Sequence, residues 1–239
     1  MPRVGVLLSG CGVQDGSEIY ESVLTLLALD RAGATIQAMA PDVEQTQVIN
    51  HYSGQEGRSG QDMGAETRNV LAESARIVRG TIMSTHEVSA HDLEALIIVG
   101  GYGVVKNLCS FGIDGVDATV NADIERLIQN MHALGKPIGA MCAGPILVAL
   151  ALRGKHPALT IGSDGSTALS LERLGAAHTN TSIDEILIDD RNNIISTAAF
   201  MLAEGPAQAE TGINKLVEEV LRRTQLTVLN AATGTTSDT

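Results

Sequence analysis

Tryptophan is absent from the chain, and aromatic residues make up only 2% of its 239 positions. A core without large rings must be built from Ala, Val, Ile and Leu, which suits helices packed closely on a parallel sheet. Basic residues are also scarce, 16 Lys and Arg against 28 Asp and Glu, for a formal net charge of -12. That balance excludes the basic face needed by a nucleic-acid partner and disfavours docking on an anionic membrane. No apolar run reaches the roughly 18 residues of a membrane span. The start, Met1 to Leu8, lacks a signal-peptide pattern and reads as a first strand. Three cysteines, Cys11, Cys109 and Cys142, form no CxxC pair. Their sparseness fits reduced thiols and a cytoplasmic location. The histidines show no HxxxH or HxH spacing, so no metal is expected, and Gly100-Gly101-Tyr102-Gly103 is no dinucleotide fingerprint, so no cofactor is expected either.

Against those absences, 44% of the residues are hydrophobic, and the length suits one large α/β domain. Apolar runs at Val4–Leu8, Thr35–Ala40, Leu96–Val99 and Pro137–Met141 read as strands. Helical periodicity covers Asp15–Asp30, Glu66–Arg79, Thr119–Leu134, a segment from Ile146, and Pro206–Arg223. Residues 42–62 are polar and Gly-rich, an excursion from the domain body. Segments near 157–161, 183–188 and 193–198 read as further strands, the last two joined by a hairpin turn. The expected organisation is one domain over residues 1–224 with a disordered tail over 225–239. Strands alternating with helices predict a mostly parallel sheet covered on both faces. Ligands in such sheets sit beyond the carboxyl ends of the strands. The loops after Leu8, Val99 and Met141 qualify.

Cys142 follows a buried strand and precedes a helix with Pro145 near its start. A thiol there meets the positive end of the helix, which favours the thiolate. Small neighbours, Ala140, Ala143 and Gly144, permit a tight turn of the nucleophile-elbow kind. Glu18 and Glu21 lie three apart on one helix face. Asp15 and Glu18 have capping-box spacing, which gives Glu18 a structural explanation that Glu21 lacks. Burial of Glu21 would raise its pKa and suit it to proton transfer. Gly100 and Gly101 allow backbone N–H groups to approach a ligand, with Gly101 and Ala143 as the oxyanion donors. Ser9, Cys11 and Tyr102 complete the candidate lining, together with Glu18 and Gly100. His156 and His178 are the histidines placed downstream where a base could sit.

The pairing of Gly100-Gly101-Tyr102-Gly103-Val104-Val105-Lys106-Asn107-Leu108 with Ala140-Met141-Cys142-Ala143-Gly144-Pro145 resembles the DJ-1/PfpI superfamily. Gly5 to Val13, Asp15 to Glu18, Asn50-His51 and Glu66 to Leu71 resemble its ElbB/ES1 branch. The likeness spans roughly residues 2–223. It implies a flavodoxin-like three-layer α/β/α sandwich, related to the class I glutamine amidotransferases, and a homodimer. It also implies that Glu21, not Glu18, is the working acid. The branch's link with glyoxalase activity implies a glutathione-independent enzyme that converts glyoxal or methylglyoxal to glycolate or lactate through a Cys142 hemithioacetal. The partner would then be a small aldehyde or dicarbonyl, with neither nucleic acid nor membrane. A redox-sensing or ligand-binding protein linked to isoprenoid metabolism is the alternative. An amidase or glutaminase is weaker, because the sequence has no His-x-Glu and carries Ala143 where related hydrolases place His.

Overall fold

A computed structural model describes residues 1–56, 58–59 and 64–233. Its core is a seven-stranded sheet. The strands are β1 (Arg3–Leu7), β2 (Thr35–Ala40), β3 (Met83–Ser84), β4 (Ala95–Ile98), β5 (Ile138–Met141), β6 (Ile186–Asp189) and β7 (Ile194–Thr197). They lie in the order β6-β7-β5-β4-β1-β2-β3. Every pairing is parallel except β6 with β7, the edge hairpin. The chain leaves β1 for β2 and β3 on one side, then crosses to β4 on the other. That reversal opens a crevice at the carboxyl ends of β1 and β4.

The helices are α1 (Ile19–Arg31), α2 (Val70–Ile77), the single turn α3 (Phe111–Asp114), α4 (Ala122–Ala133), α5 (Gly144–Ala151), α6 (Gly165–Arg173) and α7 (Pro206–Thr233). Alternate strand residues feed two cores. Leu7, Leu96, Ile98 and Ile138 pack toward α4, α5 and α6. Val4, Val6, Ile97 and Ile195 pack toward α1, α2 and α7. Helix α5 is buried at every position, which explains its uniformly apolar sequence. The result is the three-layer, mostly parallel α/β/α sandwich of the flavodoxin-like, amidotransferase-like class.

Several boundaries differ from the sequence reading. Helix α1 begins at Ile19, because Glu18 itself is the N-cap, its carboxylate accepting from the Glu21 N–H at 2.6 Å. Asp15 instead accepts from the Ile49 N–H at 2.6 Å, so it anchors the neighbouring excursion and caps nothing. Within that excursion Ile49–Asn50 pairs with Gln55–Glu56, and Arg58–Ser59 with Gly64–Ala65, both antiparallel. Residues 57 and 60–62 of the expected excursion lie outside the described residues. Helix α6 was not expected from its Ser/Thr/Gly-rich sequence. The Asp164 side chain caps it, accepting from the Thr167 N–H at 2.8 Å. Helix α7 runs to Thr233 rather than stopping at Arg223, which corrects the expected start of the tail. No Gly or Pro interrupts residues 224–233. The remainder of that expected tail, 234–239, lies outside the described residues.

Ile97 sits fully buried in β4 at the centre of the sheet. Ile97→Ala leaves a cavity between the sheet and its helices and is expected to cost about 2–5 kcal/mol of unfolding free energy. Urea denaturation checks this; a loss under about 1 kcal/mol would show that the site collapses around the smaller side chain.

Candidate functional site

Four strand ends converge on one sulfur. Cys142 follows β5 directly and has φ 54°, a left-handed conformation strained for a residue with a side chain. Its own N–H donates to the Thr197 carbonyl at 3.2 Å, tying the elbow to the end of β7. The loop after β4 supplies Gly100 and Gly101, and the loop after β7 supplies Ala199 and Phe200. Helix α1, which follows β1, delivers Glu21 from its first turn.

Glu21 is fully buried. The Gly100 N–H donates to its Oε2 at 2.7 Å, and the Phe200 N–H donates to its Oε1 at 3.1 Å. The Phe200 contact depends on Ala199, which bends the chain with φ 44°. The Glu21 carboxyl group and the Cys142 sulfur flank Gly100, close enough for each to act on the other's protonation. Burial raises the Glu21 pKa from an ordinary 4.5 to about 7, against the lowering effect of the backbone donors. Gly100 makes this proximity possible. A Cβ there would lie 2.6 Å from Glu21 Oε2 and 2.8 Å from Cys142 Sγ, so any side chain would force the pair apart.

The expectation of a helix-stabilised thiolate at Cys142 is corrected. Its thiol pKa is raised well above the ordinary 9.0. Desolvation contributes most, followed by the Glu21 charge. The backbone N–H groups of Gly101 and Ala143 face the sulfur and pull the other way without prevailing. The resting site therefore holds a thiol beside an acid poised near neutrality.

Cys142 is 8% exposed and opens onto a cavity of about 370 Å³. Gly101, Tyr102, Ala143 and Glu18 all line it. Ser9, Cys11 and Gly100 do not, contrary to expectation; Gly100 lies behind the sulfur, its N–H turned to Glu21. Ser9 is buried behind the loop, its N–H bonded to Ser17 Oγ at 2.8 Å. Cys11 lies on the far side of that loop, where it bridges to Ser17 among the charges of Glu73, Arg76 and Arg68. Neither His156 nor His178 reaches the cavity. His156 contacts the Gly175 carbonyl at 3.0 Å, and His178 accepts from the Ile161 N–H at 3.4 Å. Sequence reasoning missed Phe200 and Met201 from the β7 loop, and Ser166, Thr167 and Ser170 from α6. The Asp164-x-x-Thr167 cap and Gly175 were the available signal for α6. Nothing in the sequence marks Ala199 as a residue of positive φ.

No family model matches the chain. The chain is 41% identical to the Homo sapiens protein "Glutamine amidotransferase-like class 1 domain-containing protein 3, mitochondrial", over 93% of this chain and 83% of that one. It is 39% identical to the Rattus norvegicus "ES1 protein homolog, mitochondrial", over 93% and 84% respectively. A crystal structure of an Ehrlichia chaffeensis isoprenoid biosynthesis protein with an amidotransferase-like domain superposes with a TM-score of 0.84 at 31% identity, covering 93% of this chain and 99% of the other. Drosophila melanogaster DJ-1beta shares the fold, with a TM-score of 0.55 at 16% identity over 97% and 98% of the two chains. These relatives overturn the cytoplasmic expectation, since the curated ones are mitochondrial proteins. Three unpaired thiols never discriminated between the two locations, because both keep thiols reduced.

The buried Glu21 has a stability signature. Its raised pKa means that the folded chain holds a proton that the unfolded chain has released between pH 4.5 and about 7. This contribution is full below pH 4.5 and is lost as pH rises to about 7. The unfolding free energy of the native chain minus that of Glu21→Gln is expected to fall by on the order of 3 kcal/mol across that window. Denaturant titrations at several pH values check this, and a flat difference would contradict it.

Proposed function

This chain belongs to the ES1 protein family and has the fold of DJ-1, and from that premise we propose that it is a cofactor-independent glyoxalase with Cys142 as nucleophile and Glu21 as proton carrier. The observation that carries the reading is the close approach of a strained, cavity-facing thiol and a fully buried carboxyl group, whose pKa burial pushes up to about 7. A general base is most useful when its pKa lies near the working pH.

In the ionised form Glu21 accepts the Cys142 proton as the sulfur attacks the aldehyde carbon of an α-oxoaldehyde. The new C–S bond forms as the carbonyl π bond breaks, and Glu21 returns the proton to the oxygen, giving a hemithioacetal. Glu21 then removes the hydrogen on that carbon, and the electron pair moves into an enediolate. The Gly101 and Ala143 N–H groups, which favour negative charge on the sulfur, are the donors assigned to the negative oxygen in this mechanism. Delivery of that proton to the neighbouring carbon, with the hydroxyl proton of the first carbon passing to the neighbouring oxygen, reduces the ketone to an alcohol and oxidises the former aldehyde to a thioester. Water cleaves the thioester to the 2-hydroxy acid and restores the thiol. The two carbons exchange oxidation states, so no external oxidant or reductant is consumed.

Two other readings fare less well. Peroxide sensing needs a thiolate, and the raised Cys142 pKa counts against it. A glutaminase needs a histidine beside the cysteine, and none lines the cavity among the described residues. A non-catalytic ligand-binding role retains support from the apolar walls of the cavity.

The purified chain should convert methylglyoxal to lactate with a chelator present. Its kcat/KM should rise to a plateau through pH 7 as Glu21 ionises. Cys142→Ala should abolish turnover and Glu21→Gln should lower it by at least about a hundredfold, the scale of a lost general base. Lactate measured enzymatically reads the result; an undiminished rate in Cys142→Ala would defeat the proposal.

A further inference from the structure

The cavity in front of Cys142 is large and apolar for a site that would process glyoxal alone. Its volume of about 370 Å³ would hold roughly a dozen waters at the liquid share of about 30 Å³ each. A dialdehyde of two carbons and two oxygens displaces only a few of them. The remaining wall is built from Val13, Val105, Phe111, Ile146, Phe200 and Met201. These side chains come from five separate segments, so the apolar surface is not confined to one element.

The polar part of the wall is one-sided in charge. Glu18 lies in it, its carboxyl group capping α1, and α6 contributes the hydroxyl-bearing Ser166, Thr167 and Ser170. Among the described lining residues there is no Lys, Arg or His. Lys106 comes near, with its ammonium 5.8 Å from the centre of the Tyr102 ring. It is already engaged by the Gln14 carbonyl and by Gln47 Oε1, each at 2.8 Å. The start of α1 offers no free anion site either. Glu18 takes the Glu21 N–H, and Glu21 lies behind it beside the sulfur.

We propose that this cavity selects uncharged carbonyl compounds carrying an apolar chain or ring, and that Glu18 excludes those carrying a carboxylate. The inference rests on the proposed function only for the carbonyl at Cys142; the selection of the remainder of the molecule belongs to the walls. An apolar chain entering this space trades water for Ile146, Phe200 and Met201. An anion entering it loses its hydration, meets a second carboxyl group and finds no cation.

Binding can be read without turnover. The chain has seven methionines, and Met201 lies in the cavity wall, so methyl-labelled methionine NMR reports occupancy at that position, with Met201→Leu assigning the resonance. Acetamide, butanamide, hexanamide and hexanoate are the probes. The Met201 methyl should move with the amides, and affinity should rise about fourfold for each methylene added. Hexanoate should bind at least about tenfold more weakly than hexanamide, as an unpaired charge requires. Glu18→Gln, which keeps an oxygen to cap α1, should bring hexanoate closer to hexanamide. Equal binding of hexanoate and hexanamide, no gain with chain length, or no movement of Met201 with any probe would overturn the inference. Continued exclusion of hexanoate by Glu18→Gln would overturn the role given to Glu18. Failure of the glyoxalase reading would appear separately, as absence of lactate alongside normal Met201 shifts.

Discussion

A buried carboxyl group packed beside one thiol sets the conditions for everything else at this site. Neither Cys142 nor Glu21 could be placed where it is without the other elements that converge there. The sulfur sits on a strained turn held to β7 through the Thr197 carbonyl. The carboxyl group is held by N–H groups from two different loops. Between them lies Gly100, where even a methyl group would have no room. Strain of this kind persists only when the surrounding structure over-determines it, and four strand ends supply that determination here.

Two opposing electrostatic effects meet in the pair, and their ranking decides the chemistry. The start of α5 and the N–H groups of Gly101 and Ala143 favour negative charge on the sulfur. Loss of solvent and the nearby Glu21 disfavour it, and they prevail. The site accordingly rests as a protonated thiol, and in the proposed mechanism the acid receives its proton as the sulfur attacks. The same desolvation that suppresses the thiolate brings Glu21 to a pKa of about 7, so one cause produces both halves of the arrangement.

Much of this was legible in the sequence, and the parts that were not share physical reasons. The elbow at Cys142 shows because a buried strand followed by small residues and a helix-starting proline has few other readings. Glu21 was separable from Glu18 only through family resemblance, since both fall on the same helix face. The thiol was read as too acidic because helix position is visible in sequence while desolvation is not. Ser9 and Cys11 were placed in the lining because they follow a strand end, yet a loop that turns back on Gly16 and Ser17 points them away from the cavity. Phe200 reaches Glu21 through its backbone, which any residue carries, so no side-chain pattern announces it.

The central claim is that the shared proton rests on sulfur at neutral pH while Glu21 ionises near pH 7. Infrared spectra of a chain carrying Cys11→Ala and Cys109→Ala, in which Cys142 is the sole thiol, test it most directly. The account predicts an S–H stretch that persists through neutral pH, together with a carboxyl C=O band that disappears at about pH 7 and is missing in Glu21→Gln. An absent S–H stretch at neutral pH, with the Glu21 carboxyl band still present, would place the proton on the acid and contradict it.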